Sequence, residues 1–399
     1  MLTPYTLAPY LEARGLIDQR SAVDGRLQIV DATRRNYNFK VVCDDRAYIV
    51  KQGVGPGRAA TIRNEAAVYR LLSAGPPRST GSASKAFGRY IPVYLLFDAE
   101  HDLLVLELLE SAVDLRAYHV RLGRFPRGVA VQLGEALAAL HRSGIPRAGQ
   151  DGEGEHRDGN EGDLVAQLSH AAPGVLSSHR PRLAAYGHIS GTNLQIVRIL
   201  QRFPEFGELL DSLREEWRTT ALIHGDIKWS NCLLVPPAAG RRGERNKQPR
   251  DGANSRRGAE LKLVDWELAS IGDPCWDVGS VFNDYLCFWL LSVPVTGQEL
   301  SEEALEMARY PLDKMQPAIQ AFWAAYTGRM GLDAATADKW LERSVQFAAA
   351  RLLQTAFEQM QMATQLTGNV VFFLQVSLNM LQRPLEAAIS LLGISPRYD

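Results

Sequence analysis

The chain has 399 residues, enough to bury a large core and to divide into two lobes. Hydrophobic residues (46%) and charged residues (22%) stand in ordinary globular proportion, and a formal net charge of −1 gives no overall field to draw nucleic acid or an anionic membrane. The same balance lacks the acidic surplus of a surface built for polycationic substrates.

The four cysteines, Cys43, Cys232, Cys275 and Cys287, are scattered without a CxxC pair or a metal-ligand spacing, which points to a reduced, cytoplasmic protein. The first residues, MLTPYTLAPYLEARGLID, place Pro, Glu and Arg where a signal peptide needs an apolar run. The most apolar later stretches, Tyr285–Val295 and Val370–Leu381, are too short or too interrupted to span a bilayer and read as buried helices.

In chain order, three short strands are expected over Leu27–Ala32, Phe39–Cys43 and Ala47–Lys51, with an Asp-Asp turn before the third. A helix over about Ala59–Ser73 follows, then a Pro/Gly/Ser-rich loop at 74–89. Further strands are expected at Ile91–Phe97 and Leu103–Leu108. From there the chain turns mainly helical. Val129, Leu133, Leu137 and Leu140 mark an amphipathic helix over Val129–Ser143, and the last hundred residues hold three or four helices separated near Pro311, Leu332 and Gly368. Two polar stretches, 144–163 and 236–260, read as flexible insertions; the second is strongly basic but has no aromatic residue on which a base could stack. The outline is α+β, with a small N-terminal lobe over 1–107 and a large helical lobe over 108–399.

The chemistry concentrates in ALIHGDIKWSNCLLV (221–235) and, some thirty residues on, LKLVDWELASIGDPCWDVG (261–279). Each opens with an apolar, strand-like run that ends in acidic or amide side chains. Phosphoryl transfer needs a carboxylate beside the attacking hydroxyl and oxygen ligands for a magnesium ion on the nucleotide phosphates. Asp226, Asn231 and Asp265 supply such groups. Taken alone, each would be an ordinary turn or cap residue; the ordered set carries the signal.

His224-Gly225-Asp226-x-x-x-x-Asn231 resembles the catalytic loop of aminoglycoside phosphotransferase-type kinases. Val264-Asp265-Trp266-Glu267 resembles their counterpart of the protein-kinase DFG segment, and Gly272-Asp273-Pro274-x-x-Asp277 matches as well. The resemblance, which runs over roughly residues 20–290, implies a bilobal protein-kinase-like fold and an ATP- and Mg2+-dependent kinase acting on a hydroxyl group. It implies Asp226 as the catalytic base, Asn231 and Asp265 as magnesium ligands, Asp277 as a brace on the catalytic-loop backbone and His224 as a loop-shaping residue. Lys228 matches a lysine that protein kinases set against the transferred phosphate. Lys51, at the end of AYIVKQG, would hold the α- and β-phosphates and pair with Glu65 on the following helix. The loop Arg34–Asn38, with Asn36, would cover the phosphates without a Gly-rich sequence. The backbone of Leu106 and Leu108 would meet the adenine. Trp266 would pack in the place of the DFG phenylalanine, while Glu267 would either reach a metal through water or cap the next segment.

The implied acceptor is a small alcohol such as an antibiotic or metabolite. A second reading is Ser or Thr of a ribosomal natural-product precursor peptide, phosphorylated before elimination by a separate lyase. A third is a nucleotide-binding pseudokinase scaffold, against which the intact set Lys51, Glu65, Asp226, Asn231 and Asp265 argues.

Overall fold

The computed structural model describes residues 2–33, 36–44, 46–73, 87–144, 159–181, 189–237, 259–294 and 305–396. Arg34 and Arg35 of the expected phosphate loop, most of the loop at 74–89, and most of the insertions at 144–163 and 236–260 lie outside these residues. The chain forms two compact units, one of Met1–Tyr118 with Ser230–Leu268, the other of His119–Trp229 with Ala269–Asp399.

The first unit opens with helices α1 (Pro4–Ala13) and α2 (Gln19–Val23), followed by strands β1 (Leu27–Asp31), β2 (Tyr37–Cys43) and β3 (Arg46–Gln52). Helix α3 (Pro56–Ser73) comes next, then β4 (Tyr94–Asp98) and β5 (Leu103–Glu107). The strands make an antiparallel sheet in the order β1-β2-β3-β5-β4. Strict alternation governs its faces. Phe39, Val41 and Cys43 of β2, Tyr48 and Val50 of β3, and Leu103 and Val105 of β5 form one buried cluster with Leu7 and Leu11 of α1 and with Ile17. Lys51 therefore stands on the other face. The tight β2–β3 turn pairs Cys43 with Arg46 and holds Asp44 at φ 56°, the left-handed backbone such a short hairpin requires.

A second, three-stranded sheet of this unit has the order β6-β8-β9, from β6 (Val113–Asp114), β8 (Cys232–Val235) and β9 (Glu260–Leu263). The β8–β9 register pairs Cys232 with Leu263 and Val235 with Glu260, so the basic insertion is the connection between two paired strands.

The second unit is helical. The chain enters it through α4 (Leu115–Leu122) and continues as α5 (Arg127–His141), α6 (Gly159–Ala166), α7 (Gly191–Arg202) and α8 (Pro204–Glu215). After β7 (Ala221–Ile223) and β10 (Ser270–Gly272), which pair with each other, come α9 (Pro274–Leu290), α10 (Leu312–Met330), α11 (Ala334–Met360), α12 (Gly368–Gln382) and α13 (Pro384–Ser390). Helix α9 is apolar nearly all round and buried almost throughout, packed against α11. That contact is tight enough to need glycine: a Cβ on Gly279 would lie 2.6 Å from the Ser344 carbonyl oxygen. Of the two stretches read from sequence as buried helices, the first lies in the buried helix α9 only over 285–290, and the second lies in α12, which is buried on one face and leaves Val371 exposed. Among the described residues no helix is long and apolar enough to cross a membrane. All four cysteines are buried and free.

Candidate active site

In the first unit, Lys51 lies between two carboxylates. Its ammonium donates to Glu65 Oε1 and Oε2 at 2.8 and 3.0 Å and to Asp265 Oδ1 at 3.1 Å. Glu65 is wholly buried on α3, where the helix presents it to the β3 face that bears Lys51. Burial acts to depress the Lys51 ammonium, but the negative charge of Glu65 and then of Asp265 outweighs it, and the net shift is upward. The lysine is held as a permanent cation.

The hairpin register sets the next pair. Asn231 immediately precedes β8 and Asp265 lies just beyond β9, and the Val264 N–H donates to the Asn231 carbonyl at 3.0 Å. Strands that pair Cys232 with Leu263 must bring the two flanking residues together. Asp265 adopts φ 71°, unusual for a non-glycine residue. An amide oxygen and a carboxylate are hard oxygen donors that suit magnesium, and a cation there would also face the carboxylate that Lys51 contacts.

Asn36 donates through Nδ2 to Glu267 Oε2 at 3.3 Å, while its buried Oδ1 has no hydrogen-bond partner among the described residues. Asn64 of α3 donates to the Glu267 carbonyl at 3.1 Å. Trp266 is fully buried, edge-on to Phe87, with its Nε1 donating to the Leu263 carbonyl at 3.2 Å.

The sheet commits part of the backbone expected to meet adenine. The Leu108 N–H donates to the Ala47 carbonyl at 2.9 Å, so Ala47 and Leu108 face each other as a hydrogen-bonded pair. In an antiparallel ladder the next such pair lies two residues on, which is Ile49 with Leu106. Leu106 thus pairs with Ile49, and the Leu108 N–H is spent on Ala47 while its carbonyl accepts from the Glu110 N–H at 3.1 Å. Leu109 is the first residue past the strand whose N–H has no partner among the described residues.

In the second unit the loop after β7 is pinned by Asp277, on the first turn of α9. Its carboxylate accepts from the backbone N–H of His224 at 2.7 Å and of Gly225 at 3.0 Å. Trp276 Nε1 donates to the Gly225 carbonyl at 3.0 Å, and Gly225 takes φ 77°. His224 is buried, and its Nδ1 accepts from the Asp226 N–H at 3.4 Å. Behind Asp277, His141 Nε2 lies 3.3 Å from Oδ2, and its Nδ1 is 2.8 Å from the Tyr326 hydroxyl.

Asp226 emerges from this pinned loop between two cations. Lys228 Nζ donates to its Oδ2 at 2.6 Å, and Arg351 Nη2 donates to its Oδ1 at 3.3 Å. Arg351, on α11, is buried, lies over the Trp276 ring at 5.5 Å, and has no partner for its Nε. Asp284, on α9, accepts from the Trp229 N–H at 2.5 Å. Burial pushes its carboxyl up to about 7, against the pull of Arg351. Sequence reading missed both Arg351 and Asp284. Asp284 comes seven residues after Asp277 on the same helix, two turns along the same face, a spacing that could have flagged it.

A sheet-and-helix unit with a paired Lys51 and Glu65, followed by a helical unit with a pinned acidic loop, defines a protein of the protein-kinase-like fold. The profile of the phosphotransferase enzyme family matches residues 26–241, over half of the chain, and the chain belongs to that family. Among solved structures, an ethanolamine kinase of Plasmodium vivax is similar with 12% identity and a TM-score of 0.51, over 96% of this chain and 89% of that one. A microcompartment-associated aminopropanol kinase is similar at 13% identity and a TM-score of 0.49, over 96% and 98% of the two chains. The choline kinase LicA of Streptococcus pneumoniae is similar at 15% identity and a TM-score of 0.43, over 93% and 99%. No curated protein matches the chain in sequence.

Proposed function

We propose that this phosphotransferase moves the γ-phosphoryl group of ATP to the hydroxyl of a small molecule. The observation that carries the reading is the first unit's grouping of Lys51, Glu65, Asp265 and Asn231 by hydrogen bonds and hairpin register. A permanent lysine cation suits the α- and β-phosphates, and Glu65 keeps it aimed. Residues 1–107 would form most of the nucleotide-binding lobe, with Asn36 over the phosphates and the Leu109 N–H as adenine donor. Asn231 and Asp265 would hold Mg2+, which when bound neutralises charge on the phosphate oxygens.

Asp226 would accept the acceptor's hydroxyl proton as the new phosphorus–oxygen bond forms, the bond from phosphorus to the bridging oxygen breaks, and ADP leaves. Lys228 and Arg351 would orient Asp226, and Lys228 is the more exposed cation that can turn towards the transferred phosphoryl group. Asp277 would keep the loop in shape through two backbone bonds that do not depend on substrate. The test is ADP formation from Mg-ATP with a panel of small alcohols. Replacing Asp226→Asn should cut acceptor-dependent turnover by about 10²–10⁴-fold, the range of a lost general base. Full turnover in that variant would refute the assignment.

A further inference from the structure

The second unit contains a cavity of about 390 Å³ away from the loop that bears Asp226 in sequence, yet framed by the helix that supplies Arg351. It opens between a 3-10 turn at Gly174–Ser177, helix α7 and helix α11. Val175, Ile189, Val197 and Phe357 give it an apolar wall, and Gln354 lines it one turn along α11 from Arg351. At a rise of 1.5 Å per residue, Gln354 and Phe357 stand roughly 5 and 9 Å further along the helix axis than Arg351.

Three hydrogen bonds tie the frame together. Thr192 Oγ1, on α7, donates to the Met360 carbonyl at the end of α11 at 2.8 Å, and to the Ala363 carbonyl at 3.1 Å. Gln201 Nε2, further along α7, donates to the His179 carbonyl just past the 3-10 turn at 3.0 Å. The three walls are thus joined before any ligand arrives. Two polar atoms in this lining are buried and have no partner among the described residues: Ser178 Oγ and Asn193 Oδ1. A buried carbonyl-type oxygen left unpaired is costly, and a ligand donor would relieve it. Among the described residues that line the cavity no side chain is charged.

We infer that this cavity receives the non-reacting body of the acceptor, and that the acceptor is a neutral alcohol with an apolar group and an N–H or O–H donor for Asn193 Oδ1. The size suits one small ligand and not a folded peptide element. Among the described residues the wall has no carboxylate for the ammonium of an amino alcohol, and the cations on Asp226 give a second reason for such an acceptor to be disfavoured. The inference rests on the proposed transfer to a small hydroxyl and specifies what carries that hydroxyl.

The test compares two alcohols with the full chain and Mg-ATP: N-benzoylethanolamine, which has a ring, an amide N–H and a hydroxyl but no charge, and ethanolamine. Phosphoester formation is read by phosphorus NMR and ADP release. The neutral amide should be favoured at least ~10-fold in kcat/KM. Asn193→Ala should lower its kcat/KM about 10-fold through KM, the size of one lost hydrogen bond. Asn193→Asp should shift the ratio of the two acceptors towards ethanolamine by about 10-fold, which a merely structural asparagine would not do. Ethanolamine preferred by the parent protein, or one ratio shared by all three proteins, overturns the inference. Transfer to neither alcohol with ATP turnover intact also overturns it and leaves the phosphotransferase reading standing. Absence of ATP turnover with every acceptor sinks both.

Discussion

The two units hold their candidate site residues, here the sheet half and the helical half, by different principles. In the first unit, each functional side chain is placed by a sheet: Lys51 by the alternation of β3, Asn231 and Asp265 by the β8–β9 register, with Glu65 alone coming from a helix. In the second, the loop carrying Asp226 is held by helices that begin more than forty residues downstream: α9 supplies Asp277 and Asp284, and α11 supplies Arg351. The sheet half is local and rigid because ladder bonds fix it. The helical half depends on long-range packing, so changes far from Asp226 in sequence should reach it.

A large effect is expected in the sheet half. Lys51→Met removes the cation from between Glu65 and Asp265, and kcat should fall by about 10²–10³-fold, the scale of one lost transition-state donor. Thermal stability should fall as well, because the wholly buried Glu65 is left without its cation. A variant that kept full kcat would show that this cation is not needed for turnover.

Arg351→Leu attacks the helical half. It strips a buried counter-charge from Asp226 and Asp284 and the cation from the Trp276 face. Breaking such a buried pair costs about 3 kcal/mol or more, so the urea midpoint should drop clearly, and Arg351→Lys should recover part of it. Here too stability and activity should fall together.

The sheet half was the legible half. AYIVKQG alternates, the ALIHGDIKWSN and LKLVDW segments each join an apolar run to polar groups, and a hairpin needs only its own two strands to bring Asn231 beside Asp265. Motif spacing therefore transmitted most of the geometry. That the Leu108 N–H goes to Ala47 was not legible, because strand phase, which decides whether a β5 backbone group bonds β3 or β4, cannot be read from a mostly apolar run such as LLVLELL. Arg351 was invisible for another reason. It sits amid AAARLLQTAF, where nothing local distinguishes it, and it gains meaning only when α9 and α11 pack and bring it to Asp226. The 3-10 turn and α7 that frame the cavity are likewise separated from α11 by more than a hundred residues.

Asp284 sharpens the comparison through pH. Its carboxyl titrates near 7 in the folded chain against an ordinary 3.8, because burial disfavours the charge. Between those values the folded state holds a proton that the unfolded state has released. Stability should therefore decline as pH rises from about 4 to about 7. Asp284→Asn keeps an oxygen for the Trp229 N–H and removes the titration. Urea midpoints of the two proteins should diverge in the variant's favour as pH rises from 5 to 8, and parallel curves would show that Asp284 is not protonated near neutrality.

The smallest effect tests whether α11 transmits to Asp226 through its whole length or only near Arg351. Asp333 caps the helix: its Oδ1 accepts from the Thr336 N–H at 2.7 Å, well over a dozen residues before Arg351. Asp333→Ala should cost about 1 kcal/mol, the usual worth of such a cap. The first turn of α11 is largely exposed at the cap, whereas Leu341 to Leu353 is locked against α9 by Gly279 and its neighbours. Fraying should thus stop before Arg343, which Asp273 and Glu216 anchor at 2.6 and 3.1 Å. The variant should unfold at slightly lower urea with kcat and acceptor KM within about twofold of the parent, the small shift expected of a change with no shared partner at the site. A larger change in kcat would mean that α11 moves as one lever, and that the helical half has no rigid segment of its own.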